Sequence, residues 1–388
     1  MERIFEDTAT AFSLKTDSEL ERAYFLFKMI ANEPLVRIGT AMTNFAIKAK
    51  LPVEGLIRAT VFDHFCGGVN EMDCMPVVDK MWSKEVCSVL DYSVEGEDSE
   101  DPLDDTLEKV LNVLDFVKEK DAIPFAVFKP TGYGRFALFE KLSAGRLLNE
   151  AEQEEWARVV NRFDKTCKKA YNLDVALLID AEESWMQSAA DELVEQMMRK
   201  YNKKKAVVFN TLQMYRWDRM DYLKKLSERA KANGFKIGMK VVRGAYMEKE
   251  NDRAKEKGNM TPICASKKET DANYDAAIDY MINNLDDMSL FAGTHNEESS
   301  YDLIKMMQAN NIANNDPRVW FGQLYGMSDH ISFNLANKGY NVAKYLPFGP
   351  VRDVMPYLIR RAEENTSVAG QTTRELSLLK KERKRRKI

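Results

Sequence analysis

Polar and charged side chains occur at or near the ends of a series of short apolar runs in this chain. Such side chains can hold and orient a small anionic ligand, because together they supply hydrogen bonds and positive charge. Lys129, Lys240 and Arg243 supply the charge, and Asp180 is the expected counter-charge. The whole set is Lys129, Asp180, Gln213, Lys240, Arg243, His295, Gln323 and Tyr345. We therefore expect a ligand that carries an anionic group.

Two adjacent arginines, Arg360 and Arg361, occur in a helical pattern near the C-terminus. Neighbouring helix residues point about 100° apart, so the two guanidinium groups can flank one ligand. A guanidinium grips a carboxylate through two parallel hydrogen bonds. Glu364 is close enough along the helix to hold either arginine. A solvent-exposed helix with an ordinary ion pair explains the same pattern, and spacing alone favours that plainer interpretation.

These side chains need a scaffold that brings distant parts of the chain together. Short apolar or β-branched runs alternate with longer amphipathic stretches. The runs are Val86 to Val94, Pro124 to Phe128, Asp174 to Ile179, Ala206 to Asn210, Lys236 to Val242, Leu290 to Thr294, Val319 to Leu324, and Asn341 to Leu346. This alternation is typical of an α/β fold of the (β/α)₈ TIM-like barrel kind, with its chemistry at the carboxyl ends of the strands. A doubly wound sheet also alternates, but eight units favour the barrel.

Three segments are predicted along the chain. Residues 1–86 form an N-terminal helical segment, which we expect to cover the core, with oligomerisation or partner binding as alternatives. Residues 87–366 form the barrel, and residues 367–388 form a basic C-terminal tail ending in KKERKRRKI. Such a run is usually solvated, although it can also touch an anionic membrane surface.

Composition restricts the class of protein. The chain is 45% hydrophobic and 30% charged, as in a soluble globular protein, and its net charge of −4 argues against nucleic acid as a partner. The five cysteines form no C-x-x-C pair, so free thiols in a reducing compartment are expected. Neither a long apolar span nor a signal or transit peptide is recognisable. A cytoplasmic protein follows by default.

Motifs for other chemistries are missing from the sequence: there is no G-x-G-x-x-G, P-loop, H-E-x-x-H or G-x-S-x-G. The histidines, His64, His295 and His330, lie far apart in the sequence, so no metal site is expected. His64 and Cys66 share the segment FDHFCGG and are expected to be packed rather than catalytic.

Several long motifs, in fixed order, resemble the proline dehydrogenase family. They are RGAYM, GTHN, FGQLYGMSDHIS, KYLPFGPV and PYLIRRAEEN, and the opening FEDT…AF is similar to the mitochondrial-type branch. The resemblance covers nearly the whole chain. It implies a monofunctional flavoprotein with a distorted barrel that binds FAD at the strand ends and oxidises L-proline to Δ1-pyrroline-5-carboxylate by hydride transfer to flavin N5. It also implies that this first step of proline catabolism passes electrons to a membrane quinone, with peripheral membrane contact.

The resemblance assigns roles by motif position. Arg360 and Arg361 are expected to bind the substrate carboxylate, with Lys129 as a third positive contact. Asp180 is expected to orient Lys129 or close the site, and Tyr345 to pack against the proline ring. The expected FAD contacts are Gln213, Lys240, Arg243, Gly244, Ala245, Tyr246, Lys267, Thr294, His295, Asn296, Gln323, Leu324, and Glu364, which also holds the arginines.

One position departs from the pattern of many bacterial members, which carry an arginine near the flavin N5 where this chain has Lys240. Lysine keeps the charge but loses the planar fork, so its hydrogen-bond pattern differs.

Two other functions stay open. One is a hydroxyproline dehydrogenase of the same family, although the phenol of Tyr345 should crowd a 4-hydroxyl group and so favours proline. The other is a barrel that acts only as a binding protein, against which the full set of matched polar positions argues. No histidine or carboxylate stands out as the base for the substrate amine.

Overall fold

A computed structural model describes residues 3–32, 54–92, 100–367 and 371–388, together with residues 34, 36 and 39. Eight parallel strands form a closed barrel, in which neighbouring strands follow the order of the chain. They are β1 Val86–Tyr92, β2 Phe125–Phe128, β3 Ala176–Ile179, β4 Val208–Gln213, β5 Ile237–Val242, β6 Met288–Gly293, β7 Val319–Leu324 and β8 Val342–Phe348. The predicted α/β barrel is therefore confirmed.

Each predicted run overlaps one strand, and the differences lie at the ends. The run ending at Asn210 stops too early, because Leu212 and Gln213 continue to pair with Val241 and Val242 of β5. Polar residues continue this strand because pairing uses the backbone and not the side chain. The first run extends to Val94, but residues 93 and 94 lie outside the described part of the chain.

Helices separate the strands and flank the barrel. In the described ranges they are α1 Thr8–Ala11, α2 Asp17–Ile30, α3 Glu54–Ile57, α4 Asp63–Phe65, α5 Glu71–Trp82, α6 Glu100–Val117, α7 Phe136–Ser143, α8 Glu150–Leu173, α9 Ser184–Tyr201, α10 Arg219–Asn233, α11 Met247–Lys257, α12 Lys267–Ile282, α13 Glu297–Ala309, α14 Asp329–Asn337, α15 Met355–Ser367 and α16 Gln371–Arg386. Short turns of 3-10 helix at Ile4–Glu6 and Pro130–Gly132 and a π-helical turn at Arg58–Phe62 complete them. Within these ranges, no helix is long and apolar enough to cross a membrane.

Two compact units can be distinguished within the chain. The first unit comprises residues up to 95 and from 323 onward, and the second unit comprises residues 96–322. In the first unit β1 pairs with β8 along their whole length, from Val86 opposite Val342 to Tyr92 opposite Phe348. In the second unit β2 to β7 pair successively in parallel.

The C-terminal segment, predicted to be a basic tail, contains helix α16 in this structure. Leu378 and Leu379 of α16 are buried in an apolar cluster with side chains of α1 and α2 and the turn between them. Basic side chains of α16 also bind the N-terminal segment: Arg383 pairs with Glu21, and Arg386 pairs with Asp17. The charge of the segment predicts a solvated tail, because its many basic residues outweigh the two leucines that pack against the N-terminal helices. The segment boundaries at residues 86 and 366 stay a prediction.

An aromatic cluster packs within the second unit, with side chains from β2, β4, β6 and β7. Phe125 of β2 makes edge-to-face contacts with Phe209, Phe291 and Trp320, at ring centroid distances of 6.0, 5.2 and 5.0 Å. Gly322 of β7 leaves room for this cluster, because a Cβ there would lie 2.1 Å from the Phe291 ring. The packed interior leaves the carboxyl ends of the strands to carry the chemistry.

Candidate active site

In the second unit, two neighbouring strands end at side chains that the sequence singled out. Lys129 follows β2, is half-buried, and precedes the turn Pro130–Gly132. Asp180 follows β3, and its backbone N–H donates to the carbonyl of Phe128, the last residue of β2, at 3.0 Å. Lys129 and Asp180 therefore occupy adjacent strand ends, as the register of parallel strands requires.

Lys240 lies within β5, and its ammonium group forms an ion pair with the carboxylate of Asp180. The two side chains are 8% and 17% exposed. Charges buried to this extent are retained only when they are paired, because burial removes them from water. The structure thus gives Asp180 a cation on β5 as a partner, while its expected action on Lys129 stays a prediction.

Sequence reasoning missed Glu182, two residues after Asp180. Its side chain is buried, and burial raises the pKa of its carboxyl group to about 7, although hydrogen bonds from Thr131 and the charge of Lys129 oppose this. A strand-end carboxyl group that titrates near neutral pH is a candidate functional group. The only signal in the sequence is the acidic stretch DAEE, which does not indicate which of its carboxylates is buried.

Gln213, the last residue of β4, is buried, and its side-chain amide is largely used within the protein. Its Nε2 donates to the carbonyl of Glu182 at 2.5 Å and to the hydroxyl of Tyr215 at 2.8 Å. Its Oε1 accepts from Arg216 at 3.2 Å. Both amide hydrogens are thus taken, and a ligand can reach Gln213 only through the remaining lone pair of Oε1.

Arg243, directly after β5, is fixed on several sides. Its Nη2 donates to the hydroxyls of Thr294 at 3.1 Å and Ser299 at 2.8 Å. Its Nη1 lies 2.9 Å from Oδ1 of Asp271, and its guanidinium carbon stands 4.1 Å from the centroid of the Tyr274 ring. The structure therefore brings together Arg243 and Thr294, two residues that the resemblance assigns to FAD.

The loop after Arg243 has a backbone that few residue types adopt. Gly244 has φ of 92°, and Tyr246 has φ of 55° immediately before α11. A positive φ is costly for residues with a Cβ, so the glycine suits the first position and the tyrosine is strained. Ala245 lies between them and is half-buried. A strained backbone at a strand end is typical of a binding loop.

Lys267 begins α12, and its ammonium group contacts Asp271 one turn later at 2.5 Å. Asp271 also pairs with Arg243, so one carboxylate lies between two of the predicted FAD contacts. Lys267 is 69% exposed, whereas Arg243 is 10% exposed. The first can adjust to a ligand by changing rotamer, whereas the second is preorganised.

The sequence GTHN joins β6 to α13. The backbone N–H of Thr294 donates to the carbonyl of Gly322 at 3.0 Å, and its hydroxyl accepts from the N–H of Asn296 at 3.1 Å. Asn296 caps α13 by accepting from the N–H of Ser299 at 3.2 Å. His295 is half-buried between them. Thr294 and Asn296 therefore fix this loop through separate hydrogen bonds, the second of which caps α13.

The remaining predicted FAD contacts on strands lie in the first unit. Gln323 of β7 is buried and accepts from the hydroxyl of Ser332 at 2.9 Å. The carbonyl of Leu324 lies 3.4 Å from the ammonium group of Lys344. Tyr345 of β8 is 7% exposed, and its carbonyl accepts from the N–H of Tyr325 at 2.8 Å. The end of β7 is therefore tied to α14 through Gln323 and to β8 through Leu324, and Tyr345 of β8 binds the residue that follows β7.

Arg360 and Arg361 lie in α15, where both are half-buried. The guanidinium carbon of Arg361 stands 5.4 Å from the ring centroid of the buried Tyr357. The fully solvent-exposed helix that spacing alone favoured is therefore not what forms here. Glu364 belongs to the same helix, but its side chain lies outside the described part of the structure.

A buried ionic cluster that the sequence did not suggest supports the loop after β7 in the first unit. The Asp329 carboxylate pairs with Lys344 at 2.8 Å and with Lys15 at 3.1 Å. Burial alone would raise the pKa of Asp329, but the two ammonium groups hold it well below its usual range. His64 packs beside this cluster, donates to the carbonyl of Gly326 at 3.1 Å, and has a pKa lowered by burial to about 3.

The donor set suits an anionic cofactor and gives no indication of a metal. Lys240, Arg243 and Lys267 offer ammonium and guanidinium donors in the second unit; Lys240 pairs with Asp180, whereas Arg243 and Lys267 share Asp271. Such donors match the pyrophosphate of FAD. Among the described residues, no group of three or more His, Cys, Asp or Glu side chains could hold a metal ion.

The family model described as Proline dehydrogenase matches residues 74–374 of this chain. The chain is 36% identical over 364 residues to the carbapenem antibiotics biosynthesis protein CarD of Pectobacterium carotovorum subsp. carotovorum, which covers 93% of this chain and 94% of that protein. It is 29% identical over 427 residues to mitochondrial proline dehydrogenase 1 of Dictyostelium discoideum, covering 98% and 74%. The human protein of the same name is 40% identical over 233 residues, covering 59% and 39%.

Solved structures match over nearly the whole chain. Proline utilization A from Bdellovibrio bacteriovorus, inactivated by N-propargylglycine, superposes with a TM-score of 0.73 at 20% identity, covering 95% of this chain and 40% of that one. At this identity the likeness supports the fold alone.

The location predicted from composition is wrong. Relatives in Dictyostelium discoideum, Homo sapiens, Drosophila melanogaster and Arabidopsis thaliana are all named as mitochondrial proteins, which overturns the cytoplasmic prediction. That prediction was a default, because charge and cysteine content do not separate one aqueous compartment from another.

Proposed function

The chain belongs to the proline dehydrogenase family, oxidoreductases that act on the CH–NH group of proline, and we propose that it oxidises L-proline to Δ1-pyrroline-5-carboxylate with FAD as its cofactor. The observation that carries the proposal is the group of basic side chains at the strand ends of the second unit. Lys129 follows β2, Lys240 lies in β5, and Arg243 follows it. This group offers positive charge to a ligand, and ion pairs together with burial fix Lys240 and Arg243.

FAD, when bound, supplies the acceptor for the hydride that leaves the carbon beside the proline nitrogen. The task of the chain is to hold the cofactor and the substrate in one orientation. We propose that its contacts with FAD are Gln213, Lys240, Arg243, Gly244, Ala245, Tyr246, Lys267, Thr294, His295, Asn296, Gln323, Leu324 and Glu364. The preorganised Arg243 and the adjustable Lys267 suit the anionic part of the cofactor.

The proposed substrate contacts are Arg360, Arg361 and Lys129, which bind the proline carboxylate. Two guanidinium forks and an ammonium group leave a carboxylate little freedom to rotate, which fixes the ring that carries the reacting carbon. Tyr345 packs against that ring, and its burial on β8 supports a tight apolar contact. Asp180 acts from β3 by holding a neighbouring cation.

The two electrons removed from proline would need a final acceptor. We propose a quinone as the acceptor, and peripheral contact with a membrane follows from that choice. The role we assign is the first step of proline catabolism. One similar protein is named for carbapenem antibiotic biosynthesis.

Hydroxyproline is the alternative substrate. A hydroxyproline dehydrogenase of Xenopus laevis is 38% identical over 250 residues, covering 63% of this chain and 54% of that protein. Proline stays the preferred assignment. Tyr345 is 7% exposed on β8, so a 4-hydroxyl group placed against it would have little access to water.

The test is an absorbance spectrum of the purified protein, loaded with FAD, before and after anaerobic addition of L-proline. We expect the bands of oxidised flavin to bleach with proline and to change little with trans-4-hydroxyproline. Bleaching by hydroxyproline alone would move the assignment to the second substrate. Failure to retain FAD would leave a barrel that acts only as a binding protein.

A further inference from the structure

The carboxylate of Glu182 joins the end of β3 to the turn that follows β2. Its Oε1 accepts from the hydroxyl of Thr131 at 2.7 Å, and its Oε2 accepts from the backbone N–H of Thr131 at 3.0 Å. Thr131 lies two residues after Lys129 in the turn Pro130–Gly132. Both oxygens of one carboxylate therefore hold the short turn that begins at Lys129.

The backbone of Glu182 is held as tightly as its side chain. Its N–H donates to Oε1 of Gln187 in α9 at 2.9 Å, and its carbonyl accepts from Nε2 of Gln213 at 2.5 Å. Gln187 is in turn fixed by Asp191 at 2.9 Å. One residue thus ties together the turn after β2, the start of α9 and the end of β4, all within the second unit.

A carboxylate at this place is unfavourable for stability. The residue is 7% exposed, and burial raises the pKa of its carboxyl group more than the hydrogen bonds from Thr131 and the charge of Lys129 lower it. A neutral glutamine could fill the same volume. Residues that violate the ordinary rule of burial are expected where function requires them.

We propose that ionised Glu182 is a positioning residue for proline oxidation, which holds Lys129 in place through Thr131 and Gln213 in place through its own backbone. The inference rests on the proposed function of Lys129 and Gln213. It assigns Glu182 no contact with the substrate and no proton transfer. Its protonation weakens the hold on the turn, because a protonated carboxyl group offers the two donors of Thr131 a poorer pair of acceptors.

The charges around Glu182 decide where it titrates. Lys129, in the turn after β2, favours the ionised form, and Glu183, its neighbour in the chain, disfavours it. Lys249 of α11 pairs with Glu183, and Glu250 of α11 accepts from Ser184. Lys240, within β5, pairs with Asp180, directly after β3. Burial remains the largest influence, and the resulting pKa of about 7 means that both forms are populated near neutral pH.

The test compares the wild-type enzyme with Glu182→Gln, both loaded with FAD, by measuring kcat and KM for L-proline from pH 6 to pH 9 with an artificial electron acceptor. In the wild type, KM is expected to rise as the pH falls through about 7. We call this rise of KM at low pH the acid limb. In Glu182→Gln, KM is expected to be about tenfold higher at pH 8, because one charge-assisted hydrogen bond is lost. The acid limb should be absent from this variant. Glu183→Gln is the matched control: it removes the neighbouring charge that disfavours ionised Glu182, so the rise of KM at low pH should persist and move to lower pH, opposite to the effect of losing the Thr131 hydroxyl.

Thr131→Val provides a second, milder variant in case Glu182→Gln does not fold. It removes the hydroxyl donor but keeps the backbone donor, so it disfavours the ionised carboxylate and should move the acid limb to higher pH. An unchanged limb in Thr131→Val, or an unchanged limb and KM in Glu182→Gln, overturns the inference. Failure of proline to bleach the flavin of the wild type would instead overturn the proposed function, so the two failures are distinguishable.

Discussion

Lys240 of β5 and Asp180 at the end of β3 form an ion pair in the second unit, with side chains 8% and 17% exposed. The two residues are sixty positions apart in the chain, and the order of the parallel strands brings them together. Lysine lacks the planar fork of arginine and presents one flexible ammonium group, which here binds the Asp180 carboxylate. The pair therefore fixes the ammonium group that we assign to the cofactor.

Replacing Lys240 by methionine should destabilise the protein, because the Asp180 carboxylate then lies near the protein interior without this cation. We expect a loss of about 1–3 kcal/mol in the free energy of unfolding, measured by urea denaturation. The double variant Lys240→Met with Asp180→Asn should recover part of that loss, since it removes the negative charge together with this cation. Equal stability of the single and double variants would mean that the pair is not coupled.

Glu182→Gln should change the pH dependence of stability as well as that of activity. The wild-type carboxyl group has a folded-state pKa of about 7 against an ordinary value of 4.5, so the folded state binds this proton more tightly than the unfolded state. The contribution of Glu182 to stability is therefore present below pH 4.5 and lost as the pH rises to about 7.

The variant carries no such proton, so its stability relative to the wild type should improve by up to about 3 kcal/mol between pH 5 and pH 8. Urea denaturation of both proteins at the two pH values measures the difference. A difference that stays constant between pH 5 and pH 8 would contradict the raised pKa.

Arg360→Met and Arg361→Met test the proposed carboxylate clamp. Each should lower kcat/KM for L-proline by about 10- to 100-fold, the loss of one charge-assisted contact, mostly through a higher KM. Arg352→Met is the control, because Arg352 is 47% exposed and pairs with Glu54. If Arg352→Met lowers kcat/KM as much as the two variants do, the loss reflects removal of positive charge near α15 and not a carboxylate clamp.

Gly322→Ala should destabilise the barrel interior. The added Cβ would lie 2.1 Å from the ring of Phe291, which is itself packed edge-to-face on Phe125. We expect a loss of about 1–3 kcal/mol, measured by thermal or urea denaturation. Gly55→Ala, where the Cβ meets nothing within 4 Å, should cause no such loss. If Gly322→Ala unfolds at the same temperature or urea concentration as the wild type, the Phe291 ring can move aside without cost.

Arg386→Ala should loosen the contact between α16 and the N-terminal segment. Its guanidinium donates to the carbonyls of Phe12 at 2.8 Å and Lys15 at 2.7 Å and pairs with Asp17 at 3.0 Å. Leaving these acceptors unsatisfied should lower the unfolding free energy by about 1–3 kcal/mol. Lys380→Ala, at an exposed position of the same helix, should have little effect. Equal effects of the two variants would indicate general charge rather than these contacts.

Local patterns in the chain were sufficient to predict the barrel. A strand and the helix after it are each encoded in a few consecutive residues, and eight such units in succession leave few other folds. The predicted run Val319 to Leu324 coincides with β7 at both ends. The family motifs are local in the same sense, so GTHN and RGAYM located the loops after β6 and β5.

The partner and the burial of each side chain could not be predicted from local sequence patterns. Glu182 and Glu183 are identical neighbours, yet one holds Thr131 and the other holds Lys249, because only the folded loop decides which way each side chain points. The ion pair of Lys240 with Asp180 depends on the register of strands far apart in the chain. Helix α16 likewise forms its contacts with a segment more than 350 residues away. Side-chain pairing over such distances is a property of the packed structure, since no local pattern encodes it.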